Sequence, residues 1–324
     1  MGGRRRARGR RAVTTALLAA ATALVMAAGC TTSGGTPDDG RGHDSGTARS
    51  RGPEQGSVLA VKIDNVRAAR PQAGLDAADV VYVEQVEGGL SRLMAVYATR
   101  LPEVVGPVRS ARESDLELLR QFDRPTLAFS GAQSKLLPLI DRAPLLARTP
   151  ADSDGAWFRD TGRQAPHNLY LHPDGLLPSP AGRAALTTGF RYGPAPSGGT
   201  AQDRRTVDYP SADFAFTWSA RRHRYLVDMD GKRAVTPGGE PVAPATVVVQ
   251  YVEIRPSEYQ DFLGNHTPYT ETVGSGKALV LRDGRTYDAT WNRPQAAGGT
   301  EFTAPDGSPM TFAAGQVWVV FAKR

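Results

Sequence analysis

Two arginines stand three residues apart in the phrase Gly106-Pro107-Val108-Arg109-Ser110-Ala111-Arg112. A guanidinium presents a planar fork of donors that matches a carboxylate or a phosphate. The phrase runs into a segment with helical spacing, and a helix start adds unpaired N–H groups and a positive dipole end. Anion binding suits this arrangement. The other reading is an internal brace, in which Arg109 and Arg112 pair with Glu84, Glu87, Glu113 or Asp115. A second phrase, Val86 to Arg92, sets Glu87 and Arg92 on either side of Gly88-Gly89. The glycines allow backbone or ligand to approach closely. Glu87 could orient an arginine or act as a base, or could form a cross-strand ion pair in a plain hairpin. A third phrase, Gln164-Ala165-Pro166-His167-Asn168, offers His167 as an acid–base or hydrogen-bonding group, or as a structural histidine. Arg92, Arg109, Arg112, Glu87 and His167 are expected to line one pocket for a negatively charged group, with Asn168 as a further ligand-binding candidate.

Other chemistries lack their residues. No Gly-x-Ser-x-Gly elbow occurs, and Cys30 is the only cysteine. His167 and His172 have no Cys or His-x-x-His support, so no metal or cofactor is expected. Gly274-Ser275-Gly276-Lys277 lacks the upstream glycine of a phosphate loop. Asp228-Met229-Asp230-Gly231 lacks the remaining ligands of a calcium loop and reads as a hairpin turn.

The elements that must position these groups begin at Val58. Short runs at Val58–Ile63, Val80–Val86, Leu93–Ala98, Thr126–Ser130 and Asn168–Leu171 read as strands. Arg112–Phe122 has apolar residues at 116, 118, 119 and 122, a helical spacing, with Ser114 as the expected cap and Glu117 at the capping-box offset. Shorter helices are expected at Ser134–Ile140 and Ala181–Thr187. Residues 189–211, rich in Gly, Pro and Ser, form a candidate boundary. Beyond it the pattern is strand: Phe214–Trp218, Tyr225–Asp228, Thr246–Ile254, Ala278–Arg282, Thr286–Trp291 and Val317–Phe321, with Asp-Gly turns at 230, 283 and 306. The expected class is α+β, a mixed α/β region over 58–200 followed by a mostly antiparallel β region over 210–324.

Residues 1–29 read as a secretory leader. Six arginines precede an apolar run from Ala12 to Ala28 that is too short for a confident membrane span. Ala27-Ala28-Gly29 before Cys30 looks like a lipobox, although Ala27 stands where leucine is usual. The implied product is acylated on Cys30, anchored rather than spanning, on the outer face of the membrane. Arg10-Arg11 leaves twin-arginine export open beside the general route. Residues 30–57, dominated by Gly, Ser, Thr, Asp and Arg, read as a flexible tether. The net charge of +6 equals the six leader arginines, so the remainder is near neutral. That argues against a nucleic-acid partner, which would call for a clustered basic face.

Four phrases carry a family resemblance: ARPQAGLDAADVVYVEQVEGG (69–89), GPVRSAR (106–112), HNLY (167–170) and GSGKALVLRDGRTYDATWNRP (274–294). Together they resemble the DUF3048 family, lipoproteins of Gram-positive bacteria, over roughly 57–324. One departure is Val81-Tyr82-Val83-Glu84, where the family phrase reads V-Y-E, so the first acid sits one place later. The resemblance implies location and layout, not chemistry. Two functions remain. One is a binding lipoprotein of the cell envelope, recognising a cell-wall glycan, an anionic small molecule or an envelope protein. The alternative is a hydrolase- or lyase-type enzyme acting on cell-wall material, with Glu87 or His167 as acid–base groups and Glu84 as a second carboxylate.

Overall fold

The first strand shows why a sheet forms here and why both its faces are covered. β1 (Leu59–Asp64) reads LAVKID, with every residue buried. Side chains alternate between faces of a strand, so an unbroken buried run needs cover on both. Leu59, Val61 and Ile63 enter one apolar cluster, and Val58 and Ala60 enter the other. The computed structural model describes residues 57–152, 155–261 and 264–324. The leader, Cys30 and nearly all of the expected tether lie outside the described residues.

β2 (Val80–Gln85) and β3 (Ser91–Tyr97) pair as a hairpin around Glu87–Gly89. Gly88 and Gly89 have φ of 67° and 71°, and a Cβ on Gly89 would stand 2.5 Å from Pro210. Only glycine fits that second position. β3 also pairs antiparallel with β1, β4 (Thr126–Ala128) adds parallel to β1, and β5 (Leu146–Arg148) adds parallel to β4. On the far side of β2 the strand Val317–Lys323 runs parallel, with Val80 opposite Val317. Thr246–Val252, Gly274–Arg282, Arg285–Arg293 and Glu301–Thr303 follow in order.

Residues 58–200 and 210–324 therefore supply one eleven-stranded sheet, and the described residues belong to a single compact unit. The stretch 189–211 marks a change of pattern, not a gap between two cores. Backbone pairing of 80–83 with 317–320 joins the two segments at the middle of the sheet.

A four-stranded antiparallel sheet (Arg204–Tyr209, Ala212–Ser219, Arg224–Met229, Lys232–Arg233) covers one face. Phe214 and Phe216 pack there on Trp318, at ring-centroid distances of 6.5 and 6.1 Å. The other face carries α1 (Glu113–Leu119), α2 (Leu137–Arg142) and the hairpin Ile254–Gln260/His266–Thr270.

Several expectations need correction. The protein is predominantly β rather than α+β with a mixed α/β first region, because α1 and α2, the α-helices among the described residues, are only seven and six residues long. α1 stops at Leu119, short of Phe122. Ser114 does not cap it. The Ser114 hydroxyl instead accepts from the Thr270 N–H at 3.0 Å, and the start is closed by the Arg112 N–H donating to Asp115 Oδ2 at 2.6 Å. The second helix lies at 137–142 with Pro138 in its first turn, where a missing N–H costs nothing. The expected helix at 181–187 is a single 3-10 turn, Arg183–Ala185.

Candidate functional site

On the helix-covered face, one end of β1, β2 and β3 is polar. Asp64, Arg92 and Glu84 are direct neighbours across the three strands, so their side chains share that face. Lys62, two residues before Asp64, shares it too. α1 brings Asp115 over them. Lys62 is fully buried and donates to Glu84 and to Asp115 Oδ1, the latter at 2.6 Å. Two carboxylates thus meet one ammonium. Burial pushes the Glu84 carboxyl up to about 7; Lys62 opposes the rise and Asp115 adds to it.

Arg112 grips Glu87. Its Nε and Nη2 donate to the two Glu87 oxygens, each at 2.6 Å, and Nη1 donates to the Ser110 and Ala111 carbonyls. The Thr267 hydroxyl also donates to Glu87 Oε1 at 2.6 Å. Burial alone would raise the Glu87 carboxyl, but Arg112 and then Thr267 hold it below its ordinary range. Arg112 is therefore a brace, tying the β2–β3 turn to the start of α1 and, through Thr267, to the distant hairpin.

Arg109 is placed differently. It lies on an extended segment before α1, not one helical turn from Arg112. Where β4 ends, this segment takes over the edge of β1: Asp64 N–H donates to the Pro107 carbonyl and Arg109 N–H to the Lys62 carbonyl, both at 2.8 Å. The Arg109 Nε lies 3.2 Å from Asp64 Oδ2, close enough for charge attraction but without hydrogen-bond alignment. The same Asp64 oxygen meets His167 Nδ1 at 2.7 Å. One buried carboxylate thus serves two cations or potential cations.

Arg92 is left over. Its Nη1 donates to the Ser110 carbonyl at 3.1 Å, and among the described residues it has no carboxylate partner. Burial pushes its guanidinium down to about 9. Arg112 and Arg109 repel it further, while Glu87 and Asp64 oppose the shift. A guanidinium held in this way gains from any anion that reaches it.

Arg92, Arg109, Arg112 and Glu87 line one cleft of about 670 Å³. Its walls include Ser110, Thr267, Tyr259, Leu90 and Leu136. The other acids on its walls are Glu113, whose carboxyl is raised by burial, and Asp261, which accepts from Asn265.

Four of the five residues expected to share a pocket do so. His167 does not line the cleft and reaches Arg109 only through Asp64. Asn168 is engaged elsewhere, accepting from Arg159 Nη1 at 2.8 Å and donating to the Asp160 and Arg163 carbonyls. Of the acid–base candidates only Glu87 faces the cleft, with both oxygens engaged; Glu84 is sealed beneath on Lys62. Sequence reasoning missed Asp64 and Lys62. Two charges alternating within an otherwise apolar strand were the available signal.

Residues 45–185 match the model described as "Protein of unknown function (DUF3048) N-terminal domain", and residues 205–319 match the DUF3048 C-terminal domain. The chain is 25% identical over 277 residues to YerB of Bacillus subtilis (strain 168), a protein named as a candidate lipoprotein; the match covers 81% of this chain and 80% of YerB. The crystal structure of the Bacillus subtilis YerB protein superposes with a TM-score of 0.68 at 24% identity, covering 82% of this chain and 91% of that one, a likeness of fold. With both of its domain models matched in order along one sheet, this chain belongs to the DUF3048 family.

Proposed function

We propose that this protein is a binding lipoprotein of the cell envelope, anchored to the outer face of the membrane through Cys30, and that its cleft receives an anionic group on Arg92 and Arg109. One observation carries the reading: among the described residues Arg92 stands in the cleft with a single carbonyl partner and no acid, while Glu84, Glu87 and Asp64 serve other cations. Arg109 adds a second guanidinium whose only acid contact among the described residues is poorly aligned. The binding group would be a phosphate or carboxylate, because both accept a guanidinium fork. Glu87 holds Arg112 and does not act as a base, which favours recognition over hydrolysis.

Calorimetric titration of the purified protein with inorganic phosphate and with acetate tests this. Arg109→Ala should weaken the better of the two by about tenfold, with the melting temperature kept. Equal affinity in the variant and the parent would sink the reading.

A further inference from the structure

The same cleft has a second character. Two large apolar side chains stand out as exposed among the described residues: Leu90 at 38% and Leu137 at 40%. Leu90 lines this cleft. Leu90 stands two residues before Arg92 in extended backbone, so one edge of the hairpin delivers a cation and an apolar side chain to the same side. Val86, Ala132 and Tyr259 continue the apolar wall.

An exposed leucine continuous with the apolar wall of Val86, Leu136 and Tyr259 gives the cleft an apolar surface that a ligand would bury. A bare phosphate or carboxylate would satisfy Arg92 and Arg109 yet leave Leu90 and its neighbours in water. A glycan would place hydroxyls against them. The cavity is also far larger than one anionic group and is of the size that encloses a whole small molecule.

Resting on the anion-binding reading above, we infer that the ligand is an acidic amphiphile: a phosphate or carboxylate head held by Arg92 and Arg109, joined to an apolar chain that lies along Leu90, Leu136 and Tyr259. Charge complementarity sets its direction, head inward and chain toward the rim.

The test uses the full chain carrying Cys30→Ser, so that no detergent is needed. Four probes are titrated below their aggregation limits: inorganic phosphate, dodecyl phosphate, dodecanoate and dodecanol. Dodecyl phosphate should bind more tightly than inorganic phosphate by about tenfold or more, which requires only roughly two methylenes to leave water. Dodecanol, with the chain but no charge, should bind far more weakly than either charged amphiphile. Leu90→Ser, checked for folding by circular dichroism, should shrink the ratio of the dodecyl phosphate and phosphate affinities to below about threefold. Co-sedimentation with phosphatidylcholine vesicles containing phosphatidate would assign the head to a bilayer lipid; binding of the monomeric probes alone would assign it to a free amphiphile.

If phosphate and dodecyl phosphate bind equally, the amphiphile is wrong and the anion site stands. If dodecanol matches dodecyl phosphate and Arg109→Ala changes neither, the anion reading itself fails, and this inference with it.

Discussion

Glu84 and Arg92 stand directly opposite each other on β2 and β3, yet they form no ion pair. Glu84 gives its carboxylate to Lys62 one strand away, and Arg92 reaches the Ser110 carbonyl instead. An acid and a base at the most favourable spacing in a sheet have been diverted to different partners. The result is two carboxylates sharing one ammonium beneath α1, and a guanidinium that has no acid partner among the described residues at the cleft.

The two arginines of the GPVRSAR phrase should behave oppositely. Arg112→Ala leaves Glu87 without its guanidinium partner and should cost about 2 kcal/mol, as loss of charge-assisted hydrogen bonds to a part-buried carboxylate does. Arg109→Ala removes a misaligned contact at the cleft wall and should cost well under about 1 kcal/mol. Paired thermal melts decide: similar losses in both variants would show that Arg109 is a brace as well.

Arg92→Met should raise the melting temperature of the ligand-free protein. Burial and two neighbouring arginines disfavour the cation, so an apolar chain of similar length relieves that cost. The same variant should lose any stabilisation that phosphate confers on the parent. A lower melting temperature for Arg92→Met would mean that the Ser110 contact outweighs the buried charge.

Stability should depend on pH through Glu84. Its carboxyl rises from 4.5 in the ordinary state to about 7 in the fold, so between these values the folded state binds more protons than the unfolded. This contribution is present below 4.5 and is lost as pH rises through about 7. Glu84→Gln should flatten that segment of the melting-temperature profile. A profile unchanged in the variant would assign the slope to another group.

Cys30→Ala should move the protein out of the detergent phase on Triton X-114 partitioning, since the acylated thiol is the proposed anchor. Retention of the processed variant in the detergent phase would rule that anchor out.

The family, the strand character of Val80–Val86 and the pocket membership of Glu87, Arg92, Arg109 and Arg112 were legible in the residues, because hydrophobic periodicity and local glycine turns act over a few positions. Which arginine is brace and which is free was not. Arg109 and Arg112 have the same acids within reach along the chain, and only tertiary packing distributes them. Thr267 helps fix Glu87 from 180 residues away. Asp64 and Lys62 enter because β1 turns alternate side chains onto the face beneath α1. His167 and Asn168, adjacent in sequence, are drawn to different partners on either side of their loop. The union of the two sequence regions in one sheet likewise depends on Val80 meeting Val317, a pairing that no local pattern encodes. Local spacing determines which side chains arrive at the cleft; the competition among buried charges for partners determines what each can do there.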